Sequence, residues 1–299
     1  MISYFQAVVL GLVQGVAEPF PISSLGHSVI LPRLAGWGID QNDKFFITFL
    51  VATHLATAIV LFGFFFDDWK RILTGLWRSV RGRSDPTDTD ARLGWLLVVG
   101  TVPAGVIGLA LQKPLQKLFA SAVTAAAFLV VNGIILLVAE RLRTRPEAAG
   151  STAAASAAPD APDAADAADV RLARLSFRQA LLVGLSQAAA LVPGISRSGV
   201  SMGGGLLAGL TNEDAARFAF LLATPIIGAA AVLKLPDLFG SDGDGIRGPA
   251  LVGALCAGLT TFFAVKFLLR LFETSSLRPF GIYCIAAGLA CLAIFAVGG

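Results

Sequence analysis

Charge is scarce in this 299-residue sequence: 14% of its residues are Asp, Glu, Lys or Arg. A soluble domain carries closer to about a quarter. The shortage argues against a water-soluble globular fold. A net charge of +3 carries little information by itself, and no nucleic-acid partner is expected. The three cysteines (Cys256, Cys284, Cys291) lie inside apolar stretches and lack metal-ligand spacing, so they read as small core residues rather than a disulfide framework. No basic n-region or Ala-x-Ala site opens the chain, so no cleaved signal peptide is expected, and the first crossing serves as the insertion signal. Strand-like alternation of the outer-membrane type is also missing, which excludes a barrel.

What is abundant is apolar length. Hydrophobic residues make up 56% of the chain, and mean hydropathy is +0.76. Stretches long enough to cross a bilayer as helices recur at 43–66, 93–111, 119–142, 213–234, 249–270 and 279–297. The expected fold is an all-α polytopic membrane protein. Near its midpoint, residues 146–169 are Ala/Pro/Asp/Ser low complexity with nothing to pack, so 143–173 reads as a cytoplasmic loop.

That loop divides two copies of one pattern. Residues 3–36 and 176–209 align without gaps at an offset of 173, with 14 of 34 positions identical, including Gln, Ser and Gly positions. FLVAT at 49–53 is echoed by FLLAT at 220–224. Residues 1–142 and 174–299 therefore each read as one repeat, a broken segment followed by three crossings. The breaks, around Pro19–Pro21 and Pro193–Gly194, suit a re-entrant hairpin in each half (3–36 and 176–210), with one long kinked helix as the plainer alternative. Basic residues concentrate in 67–92 and 141–178, which places both loops in the cytoplasm. Three crossings separate the copies, so the repeats are expected to be inverted, with both termini outside and the two polar turns near the midplane.

Those turns hold the functional groups. The first carries Gln14, Glu18, Ser23, Ser24 and His27; the second carries Ser196, Arg197, Ser198 and Ser201, with Gly194 and Gly199 between. Ionisable groups at membrane depth are expensive and usually mark a site. If the turns meet, Glu18 and His27 face Arg197. Arg197, the serine hydroxyls and N–H groups at a glycine-containing helix start would bind a phosphate or diphosphate. The nucleophile is open between His27 and a serine such as Ser24. Glu18 with Gln14 could hold a divalent cation, or Glu18 could orient His27. His54, in a long crossing, reads as structural.

At these residues the chain resembles the undecaprenyl-diphosphate phosphatases, also called bacitracin resistance proteins. The motifs are Gln14-Gly-Val-Ala-Glu18, Pro21-Ile-Ser23-Ser24-Leu-Gly26-His27 and Pro193-Gly194-Ile-Ser196-Arg197-Ser198-Gly199-Val-Ser201, with His54-Leu-Ala-Thr57 similar to the family's His-Leu-Gly-Thr. Gln14 takes the uncharged option at its position, and Ser201 stands where the family has threonine. The resemblance implies release of inorganic phosphate from undecaprenyl diphosphate, which recycles a lipid carrier for cell-wall synthesis. It also implies a divalent metal (Mg²⁺ or Ca²⁺) and a site in the bacterial plasma membrane reached from outside. It carries over Glu18, His27, Arg197 and the flanking serines as site residues. Membrane lipids are the expected surroundings, and oligomeric state is left open, a homodimer among the options. The competing class is a polyprenyl-phosphate flippase, since inverted repeats with broken helices also build transporters.

Overall fold

Six helices are long and apolar enough to cross a hydrocarbon core: Lys44–Phe64, Thr89–Leu111, Ala122–Arg143, Asn212–Lys234, Arg247–Phe272 and Arg278–Val297, with mean hydropathies from 1.9 to 2.5. They follow the six apolar stretches of the sequence. The structure is a computed structural model that describes residues 2–85, 87–116, 121–147, 164–240 and 245–297. The described residues form helices and turns, with no strand among them. In chain order the helices are α1 (Tyr4–Ala17), α2 (Ser24–Leu34), α3 (Lys44–Phe64), α4 (Phe66–Val80), α5 (Thr89–Gln116), α6 (Ala122–Glu147), α7 (Ala164–Ala173), α8 (Phe177–Ser186), α9 (Arg197–Leu207), α10 (Asn212–Phe239), α11 (Arg247–Phe272) and α12 (Arg278–Val297).

The repeated segments fold alike. Ser3 and Ser176, which are 173 residues apart, each open a helix with a capping box closed by the glutamine three residues on, Gln6 and Gln179. Such a box satisfies orphan N–H groups at the helix start without outside help. The segments then break at 18–23 and 187–196, and resume as α2 and α9. At 1.5 Å per residue, the 14 residues of α1 span about 21 Å, short of a hydrocarbon core of roughly 30 Å. None of α1, α2, α8 or α9 is long enough to cross alone.

Packing ties the two halves together. Helix α1 lies on α11, α8 on α5, α3 on α10 and α6 on α12. The first of these contacts runs on glycine: a Cβ on Gly11 would meet the Gly253 carbonyl, and one on Gly15 would meet the Ala257 carbonyl. Such close approach allows backbones to pack where apolar burial alone gives no drive between helices.

Two helices form in regions read as loops. Helix α4 begins at Phe66 and runs into 67–92; it buries Trp69 and Ile72 and leaves Phe66, Leu73, Trp77 and Val80 exposed. Helix α7 forms in 143–173 and docks through Asp169, which accepts from Arg71 at 2.5 Å and Arg217 at 3.1 Å. Residues 148–163 of the low-complexity segment lie outside the described residues.

Candidate active site

The two turns meet. A Cβ on Gly26 would come to 3.0 Å from the Gly194 Cα, so the start of α2 rests directly on the second turn. Asn132, buried in α6, joins them: its Nδ2 donates to the Pro21 carbonyl at 2.9 Å and its Oδ1 accepts from the Ser196 N–H at 2.9 Å. Ser198 Oγ donates to the Phe20 carbonyl at 2.9 Å. Both halves of one side-chain amide are thus spent on carrying one turn against the other.

Glu18 stands at the C-terminal end of α1 and is 6% exposed. Its Oε2 accepts from the Ser24 hydroxyl at 2.5 Å and from Gln14 Nε2 at 3.2 Å. Its Oε1 accepts from Arg197 Nη2 at 3.0 Å. His54 Nε2 lies 3.5 Å from Oε2, while His54 Nδ1 lies 2.7 Å from the Leu50 carbonyl. Both ring nitrogens of His54 face acceptors, an arrangement that the imidazolium satisfies. One carboxylate thus sits between Arg197 and His54. Arg197 keeps its Nε buried and without a hydrogen-bond partner among the described residues. An unused, buried guanidinium N–H beside a cavity suits an incoming anion.

These groups share one cavity. A space of about 370 Å³ is lined by Glu18, Ser23, Ser24, His54, Ser196 and Arg197 at its polar end, and by Ile47, Leu50, Val51, Ile226, Ile227, Ala230 and Ala231 along its walls. Lys234 lines it further along α10. Gln187, the counterpart of Gln14 at the repeat offset, also lines it. Its Nε2 donates to the Gly100 carbonyl at 3.1 Å, while its Oε1 is buried without a partner among the described residues.

Not every residue read from the sequence joins this group. His27 does not line the cavity; its Nδ1 lies 2.8 Å from the Ser23 carbonyl and its Nε2 lies 2.8 Å from the Tyr283 hydroxyl of α12. The expected meeting of His27 with Arg197 is therefore absent in this structure. Ser201 is fully buried outside the cavity. Gly194 (φ +101°) and Gly199 serve the backbone. A Cβ on Gly194 would collide with the Ala125 carbonyl of α6, and the Gly199 N–H is taken by the Ser196 cap at 3.1 Å. Ser23 likewise caps α2 through the Gly26 N–H at 3.2 Å. His54, read as structural, stands in the site. Its signal was an ionisable side chain within an apolar crossing. Asn132 gave a related signal in 119–142, a neutral but polar side chain within an apolar crossing.

A divalent cation has partial accommodation. Gln14 Oε1 is buried without a partner among the described residues, beside the Glu18 carboxylate. Glu18 and Gln14 supply hard oxygens of the kind Mg²⁺ or Ca²⁺ takes, but Gln14 does not line the cavity and both Glu18 oxygens already accept hydrogen bonds. No cluster of three His, Cys, Asp or Glu that could hold a metal occurs among the described residues.

The family described as bacitracin resistance protein BacA matches residues 7–290. A protein of Mycolicibacterium paratuberculosis named undecaprenyl-diphosphatase is 47% identical over 297 residues, covering 97% of both chains. One of Frankia alni named undecaprenyl-diphosphatase 2 is 43% identical, covering 99% of both. One of Acidiphilium cryptum, also named undecaprenyl-diphosphatase, is 42% identical, covering 98% of both.

Proposed function

The chain belongs to the bacitracin resistance protein family, and on that premise we propose how its cavity works as an integral-membrane undecaprenyl-diphosphate phosphatase. It hydrolyses undecaprenyl diphosphate to undecaprenyl phosphate and inorganic phosphate. The observation that carries this reading is the Ser24 hydroxyl donating to Glu18 at 2.5 Å, with Arg197 on the other carboxylate oxygen, in an apolar-walled cavity. A hydroxyl hydrogen-bonded to a carboxylate is an activated nucleophile. A flippase would need an anion site but not this alignment.

The diphosphate enters head first and its terminal phosphate meets Arg197, whose Nε gains a partner. Ser24 Oγ attacks the terminal phosphorus and its proton passes to Glu18. The bond from that phosphorus to the bridging oxygen breaks, and undecaprenyl phosphate leaves with the bridging oxygen. Protonated Glu18 passes that proton to the bridging oxygen of the leaving group and is a carboxylate again. Water then attacks phosphoserine 24 and gives a proton to Glu18, which returns it to Ser24 Oγ as the Ser24–phosphorus bond breaks and inorganic phosphate is freed. Arg197 and His54 balance charge on the equatorial oxygens throughout. Glu18 and Gln14 are the residues that would hold a divalent cation, which would supply further neutralisation of phosphate charge. Glu18, Ser24, His54 and Arg197 all come from one chain, so this chemistry needs no second copy.

The charge distribution supports a plasma-membrane orientation with both termini outside and 67–92 inside. The Lys234 end of α10 then faces outward, and the cavity is reached from the outer leaflet. The test is phosphate release from a C55 diphosphate by purified protein, and from the same lipid in right-side-out vesicles. Wild-type protein should release phosphate, to the exterior in vesicles. Ser24→Ala, Glu18→Ala and Arg197→Ala should each lose about 10²–10³-fold or more in kcat. A wild-type protein that releases none overturns the enzyme reading, and release to the interior overturns the orientation.

A further inference from the structure

We infer that His27 acts as a positioning residue: together with Tyr283 it holds the strained Ser23 turn that aims the Ser24 hydroxyl at Glu18. The inference rests on the reading of Ser24 as nucleophile and goes beyond it by assigning the histidine and the tyrosine.

Ser23 has φ 68° and ψ 93°, and among the described residues it is the one non-glycine residue with positive φ. Side chains rarely adopt this conformation, and it persists only where surrounding contacts impose it. Here the contacts come from three directions. The Ser23 hydroxyl accepts from the Gly26 N–H at 3.2 Å, the Ser23 carbonyl accepts from the His27 backbone N–H at 3.2 Å, and the same carbonyl lies 2.8 Å from His27 Nδ1. That carbonyl belongs to the peptide joining Ser23 to Ser24. Fixing its plane fixes where the Ser24 side chain leaves the backbone.

The ring's own bonding shows which nitrogen is occupied. A carbonyl only accepts, so Nδ1 carries a hydrogen. In the neutral ring the remaining lone pair is on Nε2, and the Tyr283 hydroxyl donates to it at 2.8 Å. The two rings also stack, with centroids 5.9 Å apart and planes 9° from parallel. The basic nitrogen of His27 therefore points at α12, while the cavity that holds Glu18, Ser24 and Arg197 has no His27 in its lining. This is the geometry of a buttress: one nitrogen holds the turn and the other is held by a neighbouring helix, as outer partners fix a ligating histidine.

The test uses full-length protein purified in detergent. It compares His27→Ala, His27→Asn and Tyr283→Phe by kcat and KM for C55 diphosphate, by the rate of Ser24 labelling with a fluorophosphonate, and by thermal midpoint. Asparagine places an amide N–H near the position of Nδ1 but has no titratable group. His27→Ala should lose about 10²-fold in kcat and in labelling rate, as a misplaced reacting group does, with little change in KM. His27→Asn should recover most of both, and Tyr283→Phe should lower kcat several-fold while melting like the wild type. If His27→Asn is as inactive and as slowly labelled as His27→Ala while both melt like the wild type, the imidazole itself is the reagent and the inference is overturned. If His27→Ala does not fold, Tyr283→Phe with unchanged kcat overturns it equally. Failure of the underlying reading shows in a different variant: Ser24→Ala would still release phosphate.

Discussion

Glu18 is heavily used. Its two oxygens take a serine, a glutamine and an arginine, with a histidine at 3.5 Å. A carboxylate this crowded is held still, and catalysis by preorganised charge depends on groups that do not move as the reaction proceeds. His54 tests the balance. His54→Gln keeps a neutral donor near Glu18 but removes the ring nitrogens that face Glu18 and the Leu50 carbonyl, so it should raise KM for the diphosphate about tenfold, equivalent to about 1.4 kcal/mol. His54→Ala should cost more, and unchanged kinetics for both would remove His54 from the site. At this scale the sequence was informative about Glu18, Gln14, Ser24 and Arg197. It was less so for His54, because a histidine among apolar neighbours looks the same whether it is packed or poised. Tyr283 gave no signal: its partner is 256 residues away, and no local pattern links a tyrosine in one crossing to a turn in another.

Among elements, the joint between the two turns rests on Asn132 and on glycine contact. Asn132→Leu would leave the Ser196 N–H and the Pro21 carbonyl buried without their partner. An orphaned buried group costs about 1–3 kcal/mol. The variant should melt several degrees lower in detergent and lose activity in proportion, although Asn132 touches no substrate. A melting point equal to the wild type would show that the turns are held by other contacts. The apolar crossings were legible because length and hydropathy suffice to specify them. Helices α4 and α7 were hidden in polar stretches. Helix α4 does carry a local pattern, with Trp69, Ile72, Leu73, Leu76 and Val80 at helical spacing, while α7 gains its support from tertiary pairing: Asp68, Arg71, Asp169 and Arg217 form one network across α4, α7 and α10. Burial raises the Asp68 carboxyl above its usual range, against the pull of Arg217 and Arg71. Such a network depends on partners from three elements that are distant in sequence.

Across the whole molecule, the site belongs to neither half. Glu18, Ser24 and His54 precede the midpoint and Arg197 follows it, and the helices of each half pack on those of the other. The duplicated sequence foretold two similar segments. The residues of the two turns also showed the division of labour between them, since the first carries the carboxylate and hydroxyl and the second the guanidinium. What the sequence could not give is that His54, from a crossing, joins them at 3.5 Å from Glu18.

The cavity has a further consequence. At about 370 Å³ it sits near the lower end of the roughly 300–1,000 Å³ typical of small-molecule sites. On the proposed reading, a diphosphate and the first units of a polyprenyl chain would occupy a space of this size, and the rest of the chain would stay among the lipids. The substrate is therefore presented in two dimensions, and the quantity that sets the rate is its mole fraction in the bilayer or micelle rather than its molarity in water. Adding inert detergent at constant total substrate should slow phosphate release by surface dilution, and adding buffer at a constant lipid-to-detergent ratio should not.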